Sequence, residues 1–167
     1  MNKIVTLRDP IPADLSYLLN MENDLSNQIY SNYPKFHSQE EIENFISKKQ
    51  DIFMEFQYRY MILFDSKTVG CIDLFDFDLI NSRVGLGIII DENNRNKGIA
   101  LLAIDKIKTL ISEEYLLNQI YVEVLADNLS SNKLFKKSKF ILSGCKKKWI
   151  RKEDLYIDLN IYQYFYS

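Results

Sequence analysis

Apolar positions along this chain recur with a period of two in some stretches and at helical spacing in others, and each change of period marks a new element. Lys3 to Arg8 reads as a short first strand, which Asp9-Pro10-Ile11-Pro12 ends because proline fixes φ and donates no amide. A helix is expected from about Ala13 to Asn23. Ser38-Gln39-Glu40-Glu41 has the form of a capping box: the hydroxyl accepts from first-turn amides while Glu41 reaches back, so a second helix runs to about Gln50. From Tyr58 the period is two. Tyr60, Ile62 and Phe64 alternate with Met61 and Leu63, Ser66-Lys67 supplies a turn, and Val69 to Phe77 completes a hairpin. Asn81-Ser82 turns the chain into Val84 to Asp91, an almost unbroken apolar run that suits a central strand covered on both faces.

After Asn93-Asn94, Ile104, Ile107 and Ile111, with Leu101 and Leu110 beside them, mark an amphipathic helix from about Lys97 to Glu114. Ile120, Val122 and Val124 form the next strand, a helix begins near Asn128, and strands fill Phe140 to Ile150 and Leu155 to Tyr162. The order β-α-α-β-β-β-α-β-α-β-β predicts an α+β fold, a mixed sheet with helices on both faces, and not a doubly wound one.

Composition narrows the classes. The 167 residues are 47% apolar, enough for one sizeable core without disulfide or metal staples, so a single domain over residues 1–167 is expected. With 21 Lys and Arg against 23 Asp and Glu there is no global charge to attract nucleic acid or an anionic membrane, and a cationic substrate stays open. Cys71 and Cys145 lack any CxxC or Cys/His spacing and are expected as buried free thiols. His37, the only histidine, precedes the capping box and reads as a surface loop residue; no metal site is expected. No window approaches ~18 uncharged apolar residues, so a cytoplasmic protein is expected.

Candidate chemistry sits after the apolar strand. Ile88-Ile89-Ile90, a short turn, then Arg95-Asn96-Lys97-Gly98-Ile99-Ala100 opening a helix place several amides at a helix N-terminus, a ready site for a phosphate. Gly98 lets the backbone approach closely, and Arg95 and Lys97 add positive charge.

Arg95-x-x-Gly98-x-Ala100 resembles the Gln/Arg-x-x-Gly-x-Gly/Ala signature of the GNAT acetyltransferase superfamily, where it follows the fourth strand and binds acetyl-CoA pyrophosphate. A second stretch, Val124 through Asn128, Ser131, Leu134 and Phe135 to Phe140, resembles that family's V-x-x-x-N-x-x-S/A-x-x-L-Y-x-x-x-G-F. The resemblance covers roughly Tyr58 to Tyr162 and looks most like the spermidine/spermine and ribosomal-protein acetyltransferases; before Tyr58 it extends only to length and helical character. It implies a mostly antiparallel sheet of about seven strands, splayed between the fourth and fifth, with acetyl-CoA as cosubstrate and a primary amine as acceptor. It further implies that the backbone of Ile88, Ile89 and Ile90 pairs with the pantetheine amides as an added strand would. Asn128 is placed near the pantetheine, and the helix from Ser131 to Lys136, with Phe135, beside the cofactor. Asn128 is also suited simply to cap the helix it precedes.

Two departures bear on the chemistry. Many relatives protonate the leaving thiolate with a tyrosine where this chain has Phe135, and Lys139-Phe140 replaces the usual Gly-Phe. The general acid is then a nearby tyrosine such as Tyr162, an ordered water, or none, since a thiolate is a good leaving group and positioning can carry the rate. For the base, Asp73, Asp76 and Asp78 are candidates beside the family's acceptor groove. Strict alternation puts Asp73 opposite Asp76 and Asp78, so at most one set faces the acceptor, and a solvated edge is the simpler reading of these acids. Glu22 and Asp24 could join the groove. The aromatic tail Tyr162 to Tyr166 suits either a partner subunit in a homo-oligomer or closure of the acceptor side, and Lys146-Lys147-Lys148 guards a strand edge. The acceptor could be a polyamine, an antibiotic, an amino sugar or a protein N-terminus. A CoA-binding protein that kept the fold without efficient catalysis is the alternative that Phe135 favours, while a phosphate binder of another fold lacks both a P-loop lysine and GxGxxG.

Overall fold

A computed structural model describes residues 4–29 and 34–166. Its strands are β1 (Val5–Arg8), β2 (Tyr58–Phe64), β3 (Lys67–Asp78), β4 (Arg83–Ile90), β5 (Gln119–Leu125), β6 (Ile141–Lys152) and β7 (Leu155–Phe165). Its helices are α1 (Leu15–Glu22), α2 (Leu25–Gln28), α3 (Gln39–Ser47), α4 (Ile52–Glu55), α5 (Ile99–Glu114) and α6 (Leu129–Lys137). The strands make one seven-stranded sheet in the order β1-β2-β3-β4-β5-β7-β6. Every neighbouring pair is antiparallel except β4 and β5. This is the α+β architecture expected from the sequence.

Local signals explain the elements. Ser38 Oγ accepts from Glu41 N at 3.2 Å and Glu41 Oε2 from Ser38 N at 2.8 Å, the reciprocal capping box read from the sequence. The β2–β3 hairpin turns at Asp65 and Ser66, both at positive φ (48° and 66°), one residue earlier than expected, because a two-residue turn matching strand twist needs left-handed residues at both centres. The short helices α2 and α4 carry no periodic signature; each begins on an aspartate, Asp24 or Asp51, that accepts from an amide two residues on.

Helices cover both faces. On one, α5 lays Ile99, Ala103, Ile104, Ile107 and Ile111 against Ile72, Leu74, Val84, Leu86, Ile120 and Val122, all at or near zero exposure. Full burial of each such aliphatic side chain contributes roughly 1.5–3 kcal/mol. On the other, α1 and α3 pack Leu18, Met21 and Ile42 onto Met61 and Cys71. Cys71 is buried as expected, and burial raises its thiol pKa. Cys145, expected buried, is exposed: β6 is an outer strand paired only with β7. That edge is guarded as foreseen, since the ladder breaks between Lys146 and Ile150, Lys148 takes φ 51°, and Lys147 pairs with Asp158 at 2.9 Å. The aromatic tail turns inward, with Tyr162 buried and Tyr164 and Tyr166 packed on the α5-side core.

The departure from a closed sheet positions the site. β4 and β5 run parallel and pair only at Arg83↔Gln119, Val84↔Ile120 and Gly85↔Tyr121. Beyond Gly85 they diverge, while β4 stays paired with β3 as far as Ile90↔Gly70. The β5-facing backbone groups of Leu86 to Ile90 therefore have no strand partner.

Candidate functional site

At the C-terminal end of β4, Asp91 organises the turn: its Oδ1 accepts from Asn94 N and Nδ2 at 3.0 and 2.9 Å, and Lys97 Nζ donates to Asn94 Oδ1 at 2.9 Å. Gly98 then caps α5 with φ 82°. A side-chain residue there costs about 1–2 kcal/mol for the left-handed backbone, whereas an added Cβ would meet nothing within 4 Å. The glycine thus serves backbone angle and open room. Leu102 N is the first α5 amide bonded to Gly98 O, at 3.3 Å, so the amides of Ile99, Ala100 and Leu101 point outward without helical acceptors.

These amides open on a cleft of about 560 Å³. One wall is Ile88, Ile89 and Ile90, the unpaired edge of β4; the floor is Arg95, Asn96, Gly98, Ile99, Ala100 and Leu101; the far wall is Asn128, Ser130, Ser131, Lys133, Leu134 and Lys137, with Ser26 and Asn27 of α2 closing one side. Among the described residues Arg95, Lys133 and Lys137 are the charged ones in the lining, and all three are cationic. Asn128 does cap α6, accepting from Ser131 N at 3.1 Å, and lines the cleft as well.

The structure separates some of the expected cofactor residues from this cleft. Phe135 is 4% exposed and packs edge-on against Phe140 in the core. Lys136 is exposed on α6 and outside the lining, where Lys133 and Lys137 stand instead. The signal for those two was the helical face through Ser130, Lys133, Leu134 and Lys137. Lys97 lies beside the cleft, engaged with Asn94. Arg95 lines the cleft, yet its guanidinium bonds to Ile90 O at 3.0 Å and to Asn27 Oδ1 at 2.7 Å.

Tyr162, considered as a proton donor to the thiolate, is 1% exposed and donates to Asn132 Oδ1 at 2.7 Å. Burial raises its pKa. Asn132, which sequence reasoning missed, also receives Asn160 Nδ2 at 2.8 Å and donates to the carbonyls of Leu125 and Asn128. It locks the end of β5, α6 and β7 together, and its signal was a polar residue on the buried side of an amphipathic helix.

On the α1 face of the sheet, the candidate carboxylates fall out differently from expectation. Asp73 pairs across to Gly87, Phe75 to Gly85 and Asp78 to Arg83, so Asp73 and Asp78 share one face. Strict alternation fails because the register shifts between Phe75 and Asp78, with Asp76 at φ 48° as the extra residue. Asp78 is occupied by the turn it starts, accepting from Asn81 N at 2.9 Å, and by Arg83 at 3.1 Å. Asp73 takes two hydrogen bonds from Arg59, at 2.6 and 2.8 Å, while Arg59 Nη1 also pairs with Glu22 of α1. Burial alone would lower the Arg59 pKa, but the charges of Asp73 and Glu22 raise it well above its usual value. Glu22 thus joins this face; Asp24 caps α2 instead, accepting from Ser26 N. Asp76 accepts from Tyr121 Oη at 2.8 Å and, of these acids, has no cationic partner among the described residues. Phe75 lies over Gly85, where a Cβ would sit 2.3 Å from its ring, and meets Tyr121 edge-on. Burial and the hydrogen bond to Asp76 raise the Tyr121 pKa. His37 faces none of this; its backbone N–H donates to Asn23 Oδ1 at 2.8 Å.

Comparison with known proteins now decides the family: residues 5–141 match the acetyltransferase (GNAT) domain. The chain belongs to the GNAT acetyltransferase family. A curated relative, the ribosomal-protein-serine acetyltransferase of Escherichia coli (strain K12), is 26% identical over 103 residues, 62% of this chain and 58% of that protein. The matched stretch thus spans little more than half the relative's length. Among solved structures, spermidine N-acetyltransferase from Vibrio cholerae in complex with CoA and spermine superposes with a TM-score of 0.87 at 21% identity, covering 96% of this chain and 95% of that one. An acetyltransferase from Salmonella typhimurium that modifies the N-terminal serine of ribosomal protein L7/L12 gives 0.82 at 20% identity, covering 100% and 97%. At that identity the likeness is one of fold, and this GNAT chain has the splayed sheet of its neighbours. Acetyl-CoA is the cosubstrate of the family.

Proposed function

We propose that this GNAT chain transfers the acetyl group of acetyl-CoA to a primary amine by direct attack in a ternary complex. The observation that carries the reading is the splay: a strand edge without a strand partner leads to a helix N-terminus in a cleft whose charged lining, among the described residues, is cationic. The pantetheine arm would pair along Leu86 to Ile90, and its phosphates would lie on the amides of Ile99, Ala100 and Leu101 with Lys133 and Lys137 alongside. The acceptor would enter from the α1 face, between Tyr121 and the Arg59 cluster. A neutral amine attacks the thioester carbonyl, a C–N bond forms and the C–S bond breaks. The amine proton passes to solvent or to a carboxylate such as Asp76, and the thiolate leaves and is protonated by water. Among the described residues no tyrosine lines the cleft, and in this scheme positioning and carbonyl polarisation by backbone amides carry the rate.

For the acceptor we favour a cationic amine, a polyamine first, because Asp76 is a carboxylate without a cationic partner beside an aromatic wall. The same wall would accept a peptide N-terminus. A CoA-binding protein without efficient turnover is the second reading, favoured by Phe135, which offers no hydroxyl where many relatives have a tyrosine, and by the lack of a phenol among the described residues that line the cleft.

The test is release of free thiol from acetyl-CoA with spermidine, an amino sugar and a seryl peptide, at low and high salt, for wild type and Asp76→Asn. The expected result is turnover with the cationic amine, a KM raised several-fold by Asp76→Asn, and a difference that shrinks as salt screens it. Tight CoA binding with no turnover on any amine would select the second reading, and no CoA binding at millimolar concentration would overturn both.

A further inference from the structure

Arg95 is part of the loop that opens α5, yet its side chain spends its hydrogen bonds elsewhere: Nε on Ile90 O at 3.0 Å and Nη2 on Asn27 Oδ1 at 2.7 Å. Asn27 in turn donates Nδ2 to Met21 O at 3.0 Å, near the end of α1. One residue further along α1, Glu22 pairs with Arg59, which holds Asp73 on β3. The segment from Met21 to Gln28 is therefore tied at one end to the cofactor cleft and at the other to the opposite face of the sheet. With four residues α2 is too short to hold itself, so its place depends on such external bonds. Ser26 and Asn27 line the cleft, and Ser26 Oγ is buried there without a hydrogen-bond partner among the described residues.

We propose that Asn27 is a positioning residue that couples the two half-sites: through Arg95 it docks α2 and the end of α1 against the cofactor loop, and cofactor binding thereby sets Glu22 and Arg59 for the acceptor. The proposal rests on the reading of the cleft as an acetyl-CoA site. A ligand that contacts the loop and α2 together binds the docked arrangement better than the undocked one, and by linkage the docked arrangement favours the ligand equally. Asn27 itself touches no acceptor in this scheme; it acts through α1.

The experiment compares wild type, Asn27→Ala and Asn27→Asp, the last keeping an oxygen for Arg95. Amide hydrogen exchange of residues 21–28 is followed without ligand and with saturating CoA, alongside melting temperature. Alanine is a strong helix former, so Asn27→Ala is expected to melt near wild type. It should exchange several-fold faster over 21–28 without ligand, and lose most of the slowing that CoA gives wild type there. Asn27→Asp, which keeps the acceptor for Arg95 but has no donor for Met21 O, should restore part of that slowing. With the amine that turns over, Asn27→Ala should raise acceptor KM about fivefold or more with kcat within about twofold. Unchanged exchange over 21–28 in Asn27→Ala, or CoA protection that survives it, overturns the proposal. A wild type that binds no CoA removes the acetyltransferase reading and the coupling with it, whereas the ligand-free exchange decides by itself whether Asn27 holds α2.

Discussion

Arg59 grips Asp73 through two side-by-side hydrogen bonds, Nε to Oδ1 at 2.6 Å and Nη2 to Oδ2 at 2.8 Å, and the same guanidinium reaches Glu22 on α1. A carboxylate that looks free for base catalysis in the sequence is therefore half of an internal ion pair.

Arg59→Met leaves two carboxylates facing each other across the α1–sheet contact. Asp73 keeps 33% side-chain exposure and Glu22 18%, which softens the penalty, so a loss of about 2–3 kcal/mol is expected, below that of a fully buried pair. Chemical denaturation measures it. A variant as stable as wild type would mean the cluster contributes nothing to anchoring α1.

Gly98 separates conformation from space. Gly98→Ala should cost about 1–2 kcal/mol of stability from the φ of 82°. Gly98→Val adds bulk in the cleft and should abolish the rise in melting temperature that acetyl-CoA gives wild type, about 2.7 kcal/mol of stabilisation at a hundredfold excess over Kd. Thermal melts with and without ligand check both, and a folded valine variant that keeps the full shift would rule out pyrophosphate binding here.

Phe135→Tyr places a phenol in a packed site beside Phe140, and Tyr162→Phe removes the hydrogen bond to Asn132. Each should cost about 1–3 kcal/mol through a buried polar group that is added without a partner or lost by one. Turnover at saturating substrate should stay within about tenfold of wild type in both. A loss of several orders of magnitude in folded Tyr162→Phe would return that hydroxyl to the chemistry.

Lys108 gives a pH signature. Its Nζ lies on the Ser138 carbonyl and over the rings of Phe140 and Tyr164 (4.8 and 3.8 Å), and burial lowers its pKa to about 8, against a smaller upward pull from Asp105 and with Lys139 pushing the same way. A base with a lowered folded pKa binds fewer protons folded than unfolded between the two values, so its contribution to stability grows as pH rises from about 8 toward 10.5. Lys108→Met should remove that rise. Melting temperatures of both proteins from pH 7 to 10 provide the comparison, and parallel curves would contradict the assignment.

The sequence by itself determined the order of the seven strands and the longer helices, the capping box at Ser38, the hairpin and the apolar β4, since each rests on contacts within a few residues or on a repeating apolar face. It also determined the family, because Arg95 to Ala100 and Asn128 to Phe140 are contiguous motifs. Only the tertiary structure decided what the candidate side chains do. The bulge at Asp76 reverses the face of Asp78, and a single extra residue in one strand cannot be seen without its partner's register. Arg59 reaches Asp73 and Glu22 across two elements, Arg95 turns from the cleft to Asn27, and Tyr162 ends on Asn132. In each case the partner lies 14 to 68 residues away, and a charged or hydroxyl group is claimed by whichever neighbour burial leaves within about 3 Å.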